Sequence, residues 1–132
     1  MSMNIARKVA HVGAAAALVS LAAVTTASPA AADLGPPPGC QRGYFCTSGG
    51  PDSPTSWSTA VNWSGRTIGI FLFNNGFRSP GVDHVDVTYY RAQDGSGPYT
   101  RCIHYYPGPG QYYVYTPNDP VEIVRVRWRG EC

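Results

Sequence analysis

From Asp83 to Tyr90 apolar and polar positions alternate, with Val85, Val87 and Tyr89 set against Asp86, Thr88 and Tyr90. A period of two predicts a strand with one buried face. The chain closes in the same way over Glu122–Arg129. There Ile123, Val124, Val126 and Trp128 carry the apolar side, and Arg125, Arg127 and Arg129 alternate outward. Arg66–Phe73 holds Ile68, Ile70 and Leu72 interleaved with Phe71 and Phe73, which predicts one further strand. Asn74-Asn75-Gly76 after it is the signal of a tight hairpin turn. Tyr44-Phe45-Cys46, Tyr99–Tyr106 and Tyr112–Tyr115 complete the strand candidates.

The stretches between them are rich in glycine, proline, serine and aspartate: Thr47–Ser58, Gln93–Pro98, Pro107-Gly108-Pro109-Gly110 and Thr116–Pro120. Such stretches predict loops. After residue 32 no window places apolar residues at helical spacing for three turns. The expected fold is therefore all-β, a small sandwich or Greek-key barrel of about six or seven short strands. No internal repeat is visible in the sequence.

The N-terminus follows a different pattern. Arg7 and Lys8 precede an apolar run from Val12 to Val24, and Ala30-Ala31-Ala32 closes it before Asp33. That order of charged, apolar and small residues predicts a secretory signal peptide over residues 1–32. The apolar run is short of the roughly 20 residues a membrane span needs. A Pro-rich leader over 33–39, loosely held, and a single β domain over 40–132 are expected to follow. The product is expected to be secreted and monomeric.

Removal of residues 1–32 changes the charge. The basic residues of 33–132 are eight arginines, balanced by eight acids. A neutral domain has no electrostatic footprint for nucleic acid or an anionic membrane. All four cysteines, Cys40, Cys46, Cys102 and Cys132, lie in the same part. An even count in an exported chain of this size reads as two disulfides. Of three possible pairings, Cys40–Cys46 and Cys102–Cys132 are favoured, because a short loop closes easily and the two pairs lie in separate regions. With no Cys-x-x-Cys spacing, zinc is not the expected use of these thiols.

Asp83-His84-Val85-Asp86 is the most suggestive cluster, with groups for metal ligation, calcium or acid–base work. The expected reading is plainer: polar side chains facing water where a loop enters a strand. His104, between Ile103 and Tyr105, has no nucleophile elbow or His-Glu-x-x-His companion. With every cysteine oxidised, no thiol nucleophile is expected either, and the domain is read as non-catalytic. Tyr105, Tyr106, Tyr112, Tyr113 and Tyr115 flank the Pro-Gly-Pro-Gly segment. Exposed on one face, they would suit a carbohydrate or cell-wall binding module. The row Arg125, Arg127, Arg129 reads as a solvated sheet face or a protected edge.

Several features together resemble the secreted Streptomyces-type metalloproteinase inhibitors. They are Gly43-Tyr44-Phe45-Cys46 after a first cysteine, Asn74-Asn75-Gly76, Asp83-His84-Val85-Asp86 entering a strand, Cys102 in mid-chain, and the ending Arg127-Trp128-Arg129-Gly130-Glu131-Cys132. The resemblance implies a βγ-crystallin-like Greek-key sandwich. It also implies substrate-like blockade of an extracellular thermolysin-like zinc protease by a rigid exposed loop. Such proteases prefer a bulky aliphatic residue after the scissile bond, and Cys102-Ile103 offers one anchored by a disulfide. The paired-acid calcium motif of the fold is absent, so neither a metal nor another cofactor is expected.

Overall fold

A computed structural model describes residues 34–132. The expected signal peptide lies outside the described residues. The described chain is all-β, with strands β1 (Tyr44–Ser48), β2 (Thr55–Thr59), β3 (Trp63–Gly69), β4 (Phe71–Asn75), β5 (His84–Arg91), β6 (Tyr99–Ile103), β7 (Tyr113–Tyr115) and β8 (Val121–Arg129). They form two antiparallel four-stranded sheets, ordered β2-β1-β4-β7 and β3-β8-β5-β6. Adding four to the strand numbers β2, β1 and β4 gives β6, β5 and β8 of the other sheet. Each half of the chain thus keeps three strands in its own sheet and lends its third strand, β3 or β7, to the other. This structural repeat was not visible in the sequence.

The exchange explains why the expected strand over Arg66–Phe73 is two strands in different sheets. The chain crosses between layers at Gly69–Ile70. A side chain at Gly69 would bring its Cβ to 2.9 Å from Thr47 Cβ, so the crossing requires glycine. The hairpin expected at Asn74-Asn75-Gly76 is absent for the same reason, since β4 and β5 belong to different sheets. Asn74, one residue before the end of β4, is instead buried, and its Oδ1 accepts a hydrogen bond from Gly76 N at 2.9 Å. β2 lies inside the segment expected to be a loop. Its Trp57 alternates with Ser56 and Ser58 and packs on Trp63 at a ring separation of 4.4 Å.

The core lies between the sheets. Phe45, Leu72 and Val114 meet Val85, Val87, Tyr89, Ile103, Val121, Ile123 and Val126, with Trp57, Trp63 and Trp128 at its margin. In β8 the inward positions slip from Ile123 to Val126 because the pairing with β5 shifts between Thr88 and Tyr89, leaving Val124 as a bulge. A second aromatic layer covers the opposite face of the first sheet. Phe71 and Phe73 are fully buried there beneath Tyr106, Tyr112, Tyr113 and Tyr115, at centroid distances of 5.2–5.8 Å.

Both favoured disulfides are present, Cys40–Cys46 and Cys102–Cys132. They fit an oxidising, extracellular setting. Among the described residues no helix is long and apolar enough to cross a membrane. The leader is held more firmly than expected: Pro37 is buried, and Pro38 O accepts hydrogen bonds from Thr55 N (2.8 Å) and Thr55 Oγ1 (2.9 Å).

Candidate functional site

The strand registers gather Asn75, His84, Ile103 and Arg129 at one end of the sandwich. Asn74 points inward and ties the two sheets together there. Its Nδ2 donates to Asp83 O at 2.9 Å and to Ile103 O at 3.1 Å.

Asp83 and His84, expected to face water, are buried. Val85 points into the core, so His84 projects from the outer face of its sheet. It is nevertheless only 1% exposed, because His104 and Tyr105 cover it with ring centroids at 4.6 and 5.8 Å. The Asp83 carboxylate accepts at both oxygens, from His84 Nδ1 at 2.6 Å and from Ser79 N at 3.0 Å. The other nitrogen of His84, Nε2, faces His104 Nδ1 at 2.9 Å. Glu131 Oε2 stands 3.6 Å from the same Nε2. Asp86 does not join this group; its Oδ2 accepts from Arg129 Nη1 at 3.1 Å.

Two covalent or steric constraints hold the cluster. The Cys102–Cys132 bridge fastens the C-terminus to β6 and brings Glu131 over His84. Gly110, at φ +94°, lies against the His104 ring, where a Cβ would come within 2.6 Å of ring carbons. The backbone bond from His104 N to Gln111 O, 2.8 Å, closes that loop.

Beside the cluster, the β4–β5 connection presents apolar side chains to solvent. Phe77 is 61% exposed and Val82 56%, with Val61 of the β2–β3 loop also exposed. Together with Ala60 and Trp128 they line an open notch of about 380 Å³. The segment Ser79-Pro80-Gly81-Val82 is a closed turn, with Val82 N donating to Ser79 O at 3.0 Å. The Asp83 carboxylate pins its start through Ser79 N.

Ile103 does not occupy the exposed loop expected of it. It closes β6, is 1% exposed, and packs in the main core opposite Val85. Cys102-Ile103 is therefore a strand segment whose aliphatic side chain is used inside the domain. Four of the five loop tyrosines are half-buried; only Tyr115 is exposed. The rings of Tyr106, Tyr112, Tyr113 and Tyr115 meet Phe71, Phe73 or one another at tilted or edge angles, while Tyr105 meets His84. Arg125, Arg127 and Arg129 are exposed, as expected of an outer face.

Comparison with known proteins finds no matching family model, no matching curated protein and no matching solved structure.

Proposed function

We propose that this chain is a secreted binding protein that inhibits a thermolysin-like metalloprotease by offering it a preordered loop. The single observation behind this reading is the turn Ser79–Val82. It sets an exposed bulky aliphatic residue directly after a glycine, on backbone already closed by hydrogen bonds and anchored by the buried Asp83. A loop ordered in advance avoids much of the entropy cost of binding. Exposed apolar side chains clustered as Val61, Phe77 and Val82 are the kind of patch that protein partners cover. The burial of Ile103 moves the proposed contact from Cys102-Ile103 to Gly81-Val82.

The strand exchange supports reading the fold as paired Greek keys of the βγ-crystallin-like kind, since β4 returns beside β1 and β8 beside β5. This is the fold that the resemblance to the inhibitor family implies.

The test is a titration of the protein, disulfides intact, against a thermolysin-like protease and a serine protease. Stoichiometric loss of the zinc enzyme's activity alone is expected, and Val82→Asp should abolish it while leaving the fold unchanged. A folded wild-type protein that inhibits neither enzyme overturns the reading. Undiminished inhibition by Val82→Asp overturns the loop.

A further inference from the structure

We propose that the groove beside β6, at the other end of β5 from Val82, binds an uncharged oligosaccharide, a site beyond the inhibitor reading. Tyr99 and Arg101 stand two residues apart on β6 and so share one face. They pair with Tyr89 and Val87 of β5, whose side chains belong to the core. Further along the same face Ile103 enters that core, but Tyr99 and Arg101 remain exposed. On this flank the first sheet ends with β7, only three residues long. Tyr99, Thr100 and Arg101 line a groove of about 350 Å³ together with Thr116 and Asp119 from the chain after β7. That volume lies within the range of small-molecule sites, about 300–1,000 Å³.

Three features of the groove suit a sugar. The Tyr99 ring is 43% exposed and held in place, 5.8 Å from the Tyr89 ring centroid with its hydroxyl 3.3 Å from Ser96 Oγ. The negative face of such a ring attracts the polarised C–H face of a pyranose, and a ring ordered in advance loses little entropy on binding. Arg101 has no ion pair among the described residues, so its N–H groups are left to donate to hydroxyls. Asp119 Oδ1 is buried without a hydrogen-bond partner among the described residues. Buried acceptors are seldom left unmet, and a ligand hydroxyl, or a water bridging to one, supplies the donor.

The charges decide the kind of sugar. Arg91 Nε is held by Asp119 Oδ2 at 2.9 Å, and Arg91 Nη1 stands 3.6 Å from Asp94 Oδ2. Arg91 and Arg101 are thus balanced by Asp94 and Asp119. An anionic sugar would gain one free guanidinium and meet two carboxylates. An uncharged one can use donors and acceptors alike.

The test adds cellotetraose and chitotetraose, separately, to the isotope-labelled protein with both disulfides formed. At least one should bind with a Kd of about 1 mM or tighter, shifting the NMR signals of the Tyr99 ring and the Arg101 side chain. Tyr99→Ala should weaken binding about tenfold, and Arg101→Gln about threefold or more. The shifts in the wild-type protein decide the matter even if Tyr99→Ala fails to fold. No binding of either sugar, shifts confined to the tyrosines over β4 or to other residues, or unchanged affinity in either folded variant would each overturn the groove. Tighter binding of tetragalacturonate than of both neutral sugars would overturn the uncharged ligand.

Discussion

The two halves of the chain follow one backbone plan and close it with different chemistry. In the first, β1 and β4 end at the pair Tyr44–Asn75. The Asn75 amide is hydrogen-bonded at both ends there: Nδ2 donates to Cys40 O at 3.0 Å, and Oδ1 accepts from Arg42 Nη1 at 3.0 Å. Arg42 also reaches Tyr106 O. In the second half the corresponding ends of β5 and β8 are His84 and Arg129. Here the buried groups are ionisable, and beside them lies the loop with exposed Val82 and Phe77. A neutral amide hydrogen-bonded at both ends is a structural solution. A buried carboxylate and imidazole with a second, half-buried imidazole against them are a costlier choice, and the loop proposed to bind the protease lies on this half.

The comparison can be broken most severely at Ile103, which joins the second half to the core. Ile103→Asp should bury a carboxylate with no cation among its described neighbours. It should lose about 4 kcal/mol or more of stability, read as a fall in the denaturation midpoint. The disulfides sharpen the contrast. Cys102–Cys132 spans 30 residues and Cys40–Cys46 spans 6. On chain entropy alone, removing the first by a double change to serine should cost about 3.7 kcal/mol and the second about 2.4 kcal/mol. Denaturant titration of the two double variants checks the order. Asn74→Ala should cost about 1–3 kcal/mol, because Asp83 O and Ile103 O both lose their donor. Hydrogen exchange at the start of β5 and the end of β6 should rise with it.

The smallest effect lies at the far end, on the β5–β6 turn. Asp94 is exposed, and its carboxyl is held below the usual value of 3.8 by hydrogen bonds from Ser96, with Arg91 nearby. A depressed folded-state value adds stability above pH about 4 and loses it as the pH falls further. Asp94→Asn should therefore slightly reduce stability near neutrality and leave it unchanged at strongly acid pH, seen by comparing melting curves at both.

Much of the architecture was legible because alternation is a local signal. β5 and β8 stand within a residue of the segments where Val85, Val87, Tyr89 and Val126 announced them. Cysteine spacing likewise led to both bridges. The exchange of β3 and β7 was not legible, since crossing at Gly69 depends on the distant Thr47. The apolar run Ile68–Phe73 reads the same whether it stays in one sheet or changes layer. The site was half legible. Asp83, His84 and His104 stood out by type, but their burial follows from the loop folded over them and from Glu131 returning through a disulfide. Val82, the residue now proposed for the contact, did not stand out, although an aliphatic residue between Pro80-Gly81 and Asp83 was visible. Cys102-Ile103 stood out as an aliphatic residue beside a disulfide, as the resemblance implies, whereas pairing with Val85 turns Ile103 into the core.

The most direct test of the division between a structural and a functional half is amide hydrogen exchange of the protein, alone and bound to a catalytically inactive thermolysin-like protease. New protection should fall on Ser79–Val82 and the adjoining Val61 and Phe77. Protection confined to the arginine face of β8 or to the tyrosines over β4, with Ser79–Val82 unchanged, would contradict the account.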